Sequence, residues 1–222
     1  MHLYIDIETL PPLEWDEARR LDYVQSKVPG NYKKPESIAQ WVAENFEETW
    51  ARAALDWRIS RIACIGVAVD DGRTVHGSTF VGGTDDADER RMFTELEWWL
   101  REHYAWTAHV VGHNVLGFDI PRLHLVASRL HHSLAAWLHD ISEDHRKRVT
   151  DTMHMAFPSR ERVSLADLAS ALGLEGKTGK GSDVLPMWLA GDRDGITSYC
   201  MNDVLLTRRI HHALSGAFDA NS

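Results

Sequence analysis

The run Arg61–Asp70 (RIACIGVAVD) is apolar everywhere but at its two ends, and Asp71-Gly72 then Thr74–Val81 follow it directly. An apolar, β-branched run of this length bounded by a turn signal reads as a buried strand, and Asp-Gly between two such runs reads as a hairpin. Leu3–Ile7, a shorter β-branched and aromatic segment closed off by Pro11 and Pro12, supplies a third strand. Three strands in an antiparallel meander therefore open the fold. Downstream the hydrophobic period changes. Asp88–Tyr104 places Met92, Phe93, Leu96, Trp99 and Leu100 on one helical face, and His109–Val111 is a short strand.

Helices then dominate. One is expected from Pro121 to about Leu138, and a second is capped by Ser164 and stopped by Gly173. A last one starts at Asp192 or Asp194 and runs to about Leu214. Strands first, then helix, strand and more helices, predict an α/β or α+β domain with a mixed sheet covered by helices. Residues 11–57 are rich in charge and tryptophan. They contain a loop, Pro29–Pro35, bracketed by helical patterns, the better one running from Pro35 to Leu55, so this stretch reads as a helical insertion after the first strand.

A chain of 222 residues in which 44% are hydrophobic and 26% charged can bury one core, and a single domain is expected. The net charge of −9 excludes a broad basic face gripping duplex DNA. It leaves room for an enzyme that meets nucleic acid through bound divalent cations. Cys64 and Cys200 form no disulfide framework or zinc pair, so a reducing compartment fits. No stretch is apolar enough to span a membrane and the N-terminus lacks a secretory pattern, which predicts a cytoplasmic protein without a membrane partner.

Asp6 and Glu8 lie two apart in the first strand, so both carboxylates point to the same face. Other close pairs, Asp86/Asp88 and Asp192/Asp194, sit where acids cap helices. Asp6 and Glu8 instead interrupt an apolar strand, where burial is costly without a partner, so the pair reads either as a site for a hard cation or as a solvated polar face. A second feature, Val110–Asp119 (VVGHNVLGFD), is a strand running into a glycine-containing loop. Taken alone, Asp119 reads there as a helix cap, Asn114 as a turn residue and His113 as a loop histidine. The third is Tyr199 and Asp203, which share a face of the last helix beside its apolar stripe.

In combination, Asp-Ile-Glu-Thr on the first strand, His-Asn-x-x-Gly-Phe-Asp in the middle and Tyr-x-x-x-Asp on the last helix resemble the DEDD superfamily of 3′–5′ exonucleases. Ser198 stands five before Asp203, where one branch carries histidine, and Tyr199 stands four before, so the chain resembles the tyrosine branch. Asp151-Thr152-Met153 and Lys180–Val184 look similar to stand-alone relatives of the exonuclease domain of family B DNA polymerases, found in bacteria and phages.

The resemblance implies a ribonuclease H-like, mixed five-stranded sheet flanked by helices, and two Mg²⁺ ions, with Mn²⁺ as a substitute. It also implies release of nucleoside 5′-monophosphates from the 3′ end of single-stranded DNA. Asp6, Glu8, Asp119 and Asp203 would be both metal ligands and catalytic residues. Asp6 would bridge the two ions, Glu8 and Asp203 would complete the ion that activates water, and Asp119 would hold the other mainly through water. Tyr199, with a reference pKa near 10, is a poor base at neutral pH and would orient the attacking water or the phosphate. Thr9, His113, Asn114 and Phe118 would contact the terminal nucleotides, although phenylalanine beside a helix start is more often core.

Partners implied are single-stranded DNA 3′ ends, with RNA as an alternative, and a DNA polymerase or another replication or repair protein. The competing readings are a ribonuclease D-like exoribonuclease and a non-catalytic binding module. Lys33 and Lys34 beside Tyr32 could grip a strand, though a solvated loop reads equally well. Trp98 and Trp99 are expected in the core. The pairs His131-His132 and His211-His212 are expected in packing or surface roles.

Overall fold

The computed structural model describes residues 1–158, 162–176 and 179–216. In chain order the elements are β1 (His2–Leu10), α1 (Glu17–Gln25), α2 (Pro35–Ala51), β2 (Arg61–Asp70), β3 (Val75–Val81), α3 (Asp86–Glu102), β4 (His109–Gly112) and α4 (Asp119–Arg129). They continue with α5 (Leu134–Glu143), α6 (His145–Arg148), β5 (Val149–Asp151), α7 (Thr152–Ala156), α8 (Leu165–Ala171), α9 (Val184–Leu189) and α10 (Arg193–Leu214). The sheet order is β3-β2-β1-β4-β5. β1, β2 and β3 pair antiparallel through the hairpin at Asp71-Gly72, while β4 and β5 are added parallel to β1, giving a mixed five-stranded sheet. Among the described residues no helix is long and apolar enough to cross a membrane.

β1 is central, and its alternation sorts the two layers. Leu3, Ile5 and Ile7 face the main core, which is built with Met92, Phe93 and Leu96 of α3 and Leu123 of α4. Tyr4 faces the opposite side with Val204 of α10, and Leu10 packs there with Ile196 and Cys200. Asp6 and Glu8 share the parity of Tyr4 and so belong to the α10 face. α10 reaches the sheet closely because β2 carries glycine there: a Cβ on Gly66 would lie 2.8 Å from Cys200 Sγ and 3.0 Å from Val204 Cγ2.

Four expectations change. The helix expected from Pro121 to Leu138 is two helices, because the chain closes α4 with His131 N–H donating to the Ser128 carbonyl and His132 N–H to the Ala127 carbonyl. This is a Schellman close with His131 in the left-handed position (φ 51°) that glycine usually fills, so no glycine marks the stop. Second, α3 starts at Asp86, two residues before Asp88, because Asp85 caps it by accepting from Asp88 N–H. Third, Trp99 is buried but Trp98 is 72% exposed, one helical position around from the core face. Fourth, β5 is only three residues long and so falls below the length at which periodicity shows.

The segment between β1 and β2 forms its own small cluster, with Val24, Val42, Trp50 and Ala53 buried between α1 and α2. Tyr32 packs toward Trp41, with ring centroids 6.5 Å apart, while Lys33 and Lys34 are exposed.

Candidate active site

β4 stops at Gly112, and its ladder with β1 runs only as far as Tyr4 opposite Val111. Beyond that point β1 loses a strand neighbour on this side, and the chain from β4 turns away into α4. The Asp119 carboxylate takes up the backbone group so exposed: its Oδ1 accepts from Ile7 N–H at 3.0 Å. Asp119 is the first residue of α4, where the helix dipole favours an anion. Its carboxyl is nonetheless pushed well above the usual carboxylate range, first by burial and then by the nearby Asp6 charge. Burial and the like charge of Asp6 thus outweigh the backbone hydrogen bonds that favour the ionised form.

Asp6 and Glu8 project from β1, and Asp203 projects from α10 toward them. A ligand oxygen of each of the three lies within 4.8 Å of the others. Glu8 (9% exposed) and Asp203 (3%) are buried and Asp6 is half-buried. One cavity of about 440 Å³ is lined by all four carboxylates, together with Tyr199, His113, Asn114 and Phe118. The structure thus brings residues from both ends and the middle of the sequence to one place. An all-oxygen, buried set of this kind suits a hard divalent cation, with Asp119 beside the tight three-carboxylate group, and no histidine or cysteine competes as a donor in that group.

Tyr199 is buried one helical turn before Asp203 on α10. Burial and then the Glu8, Asp203 and Asp6 charges push its phenol far above the ordinary range. Near neutral pH the phenol is therefore protonated and can donate a hydrogen bond. Gly179, just before Lys180, packs against the ring: a Cβ there would meet Tyr199 Cδ2 at 3.3 Å, and Gly179 holds φ +96°.

The loop between β4 and α4 is braced from below by Asp151. Its carboxylate accepts from the N–H groups of Asn114 (2.9 Å), Leu116 (3.2 Å) and Met153 (3.1 Å). Asn114 adopts φ 55°, a left-handed position that asparagine tolerates, and its side chain occupies the space a Cβ on Gly117 would need, 2.5 Å from Oδ1. His113 is held at both ring nitrogens: Nε2 donates to the Val163 carbonyl at 2.9 Å and Nδ1 lies 3.0 Å from Thr152 Oγ1. It contributes a fixed ring to the cavity wall. Phe118 is half-buried against the main core and also lines the cavity, so the core and site readings both hold in part.

Thr9 is placed otherwise. A bulge between Glu8 and Thr9 breaks the alternation of β1. The Thr9 hydroxyl donates to the Ala54 carbonyl at 2.7 Å, and the residue is absent from the cavity wall. It ties the end of β1 to the turn at Arg52–Leu55. Sequence reasoning passed over Asp151 as a brace, Arg162 in the cavity wall, and Trp57, Leu55 and Arg122 in the adjoining groove. The density of tryptophan and charge before β2 marked the stretch holding Leu55 and Trp57 as unusual, but not as part of a groove.

A buried acid cluster lies at the edge where β1 and β4 part, on a mixed sheet packed by a long C-terminal helix, and its carboxylates could hold a metal ion. The fold is shared with part of the family B DNA polymerase from the hyperthermophilic archaeon Pyrobaculum calidifontis, at TM-score 0.57 and 19% identity over 96% of this chain. A second solved structure, exonuclease I, aligns at TM-score 0.40 and 15% identity over 98% of this chain. The chain spans 24% of the polymerase and 46% of exonuclease I. Among curated proteins none matches the sequence. The chain belongs to the family of predicted 3′–5′ exonucleases related to the exonuclease domain of PolB, whose model matches residues 53–213. That match takes in Asp119, Tyr199 and Asp203 and begins after β1, so Asp6 and Glu8 join the site through the fold.

Proposed function

We propose that the chain is a metal-dependent 3′–5′ exonuclease of the tyrosine branch of the DEDD superfamily. In this reading it is one ribonuclease H-like domain carrying α1 and α2 as an insertion, and it releases nucleoside 5′-monophosphates from the 3′ end of single-stranded DNA. The observation that carries the reading is the meeting of Asp6, Glu8 and Asp203 within 4.8 Å, with Asp119 and Tyr199 lining the same cavity.

Asp6, Glu8, Asp203 and Asp119 would hold two Mg²⁺, for which Mn²⁺ can substitute. Bound there, the ions supply charge to offset the phosphate and lower the pKa of water enough for attack near neutral pH. The chain's own residues do the rest. Burial of Glu8, Asp119 and Asp203 keeps bulk water off the carboxylates, so their charge acts at low dielectric. Tyr199, kept protonated, donates a hydrogen bond that orients either the attacking water or a phosphate oxygen. Asn114 and Phe118, held by Asp151 and the core, wall the place for the last nucleotides, and stacking on Phe118 would be indifferent to sequence.

The test is digestion of single-stranded DNA and RNA oligonucleotides, labelled separately at each end, with Mg²⁺ and with EDTA. A labelled mononucleotide should appear first from the 3′ end, more rapidly from DNA, and only with metal. Asp6→Ala and Asp203→Ala should each fall to background, and a wild-type rate in either purified variant defeats the assignment. Tight oligonucleotide binding with no cleavage under any metal would instead favour a non-catalytic module.

A further inference from the structure

The acid cavity is one end of a longer groove. It shares Asn114, Phe118 and Arg162 with a second cavity of about 790 Å³, and that one shares Leu55 and Trp57 with a third of about 640 Å³. The three adjoin one another in a row from the carboxylates, past α4, to the faces of α1 and α2. Where the second and third meet, Trp57 and Leu55 are each 63% exposed.

That exposure belongs to a braced segment. The Arg122 guanidinium, 6% exposed, donates to Ser60 Oγ and to the Leu55 carbonyl, on either side of Trp57. Asp56, next to the tryptophan, holds Arg58 at 2.6 Å and Lys27 at 3.4 Å and accepts from the Tyr23 hydroxyl at 3.3 Å. The indole is therefore presented on a fixed support, at low entropy cost for any ring that stacks on it.

Charge follows the path. Lys27, Arg52, Arg58, Arg122 and Arg162 line the second and third cavities against the single carboxylate of Asp56, in a chain whose net charge is −9. Some of this charge is shared with acids, as Arg52 is with Glu48 at 2.7 Å, but the balance along the groove is opposite to that of the whole molecule. Tyr23 and Trp41 add aromatic surface beside the cations. Planes for bases interleaved with cations for phosphates are what a single strand requires.

We infer that Trp57 is a stacking platform for a single-stranded polynucleotide and that the groove between α4 and the α1–α2 pair carries the strand away from the acid cavity. The inference rests on the exonuclease reading only in placing the 3′ end at the carboxylates.

The test is a length series: equilibrium binding of 5′-fluorescein oligothymidylates of about three and about twelve nucleotides, in Ca²⁺, whose looser coordination replaces the octahedral geometry that Mg²⁺ demands. In the wild type the longer strand should bind tighter. Trp57→Ala should weaken the longer strand by about 5- to 150-fold, the equivalent of one base–aromatic stack of about 1–3 kcal/mol. The same change should move the shorter strand much less, Trp57→Phe should restore most of the loss, and Trp98→Ala, an exposed tryptophan on α3, should change nothing. Equal binding of the longer strand by wild type and Trp57→Ala overturns the inference, as does an equal loss for both lengths. Binding needs no turnover. A Trp57-dependent length effect in a protein that never cleaves would sink the exonuclease reading alone, and cleavage with no length effect would sink this one alone.

Discussion

Gly66 is a strand interior glycine, a residue that ordinarily weakens a strand by about 0.5–1 kcal/mol relative to alanine. Intrinsic preference alone predicts that Gly66→Ala stabilises the protein. The structure predicts the reverse. The added Cβ would sit 2.8 Å from Cys200 Sγ, 0.6 Å inside the 3.4 Å at which ordinary contact begins, and 3.0 Å from Val204 Cγ2. Both atoms belong to α10, and the neighbouring Cys200 carbonyl at 3.4 Å leaves the helix no easy rotation. Overpacking of this kind costs about 1–3 kcal/mol. After the gain in strand preference is set against it, the net loss is up to about 2.5 kcal/mol, or up to about 10 °C in Tm for a chain of this size. The helix that moves carries Tyr199 and Asp203, so activity should fall by more than stability explains, since a displacement of about 1 Å at a reacting centre can cost about 10²-fold. Gly77→Ala is the control. There the new Cβ is crowded by the flexible end of Met201 at 3.2 Å, which can swing aside, and makes ordinary contact with the Val67 carbonyl at 3.5 Å, so Tm should hold or rise. Scanning calorimetry of the two variants decides it, and a Gly66→Ala protein as stable as Gly77→Ala would refute the close approach of α10 to β2.

Two further outcomes follow from the site and from the far end of the same helix. Tyr199→Phe removes a positioned donor, including its hydrogen bond to Asp203, while leaving all four carboxylates in place, so single-turnover cleavage should slow by about 10²-fold while metal binding, read by calorimetric titration, persists; an unchanged rate would remove Tyr199 from the mechanism. His211, 8% exposed with Nδ1 3.0 Å from the Tyr4 hydroxyl, has its pKa pushed down to about 4, first by burial and then by His2, His212 and His109, with Asp70 opposing. The unfolded chain, titrating near 6.5, then binds the extra proton, so Tm should drop as pH falls from about 6.5 to about 4 and gain nothing from this group above that window. His211→Gln should flatten that slope, and equal slopes in the two proteins would show that other groups carry it.

Much of the layering was legible from patterns whose physics is local. Arg61–Asp70 had to be a strand because its apolar run was the right length and ended in Asp-Gly, and α3 had to be a helix because Met92, Phe93, Leu96 and Leu100 fall on one face. What stayed hidden depended on tertiary context. The break after α4 uses His131 where glycine would have announced it, and β5 exists only because β4 offers it three residues of ladder. Trp57 gave no signal as a groove residue because its exposure is imposed from outside the segment, by Arg122 of α4. Read from its own segment, Asp119 was legible only as a cap, and its place beside Asp6 and Glu8 came from the motif resemblance. Its service to Ile7 arises from the early end of β4, which no property of residues 110–119 reveals.

The motifs on β1 and α10 fit each other for a metric reason. Two residues along a strand advance about 6.6 Å, and four residues along a helix advance about 6.0 Å. An i, i+2 pair on a strand and an i, i+4 pair on a helix laid against it therefore stay in step over one repeat and drift by only about half an ångström. The site uses one such repeat, with the two chains running in opposite directions. Asp6 lies beside Asp203, and Glu8 is the carboxylate that acts most strongly on Tyr199. The apolar rungs of the same two elements, Leu10 with Ile196 and Tyr4 with Val204, set that register. Shifting α10 by a single residue would turn Asp203 about 100° around the helix, away from Asp6 and Glu8, and bring Asn202 or Val204 in its place. Packing on both sides of the acids is thus what holds three repelling carboxylates within reach of one ion before any ion is present.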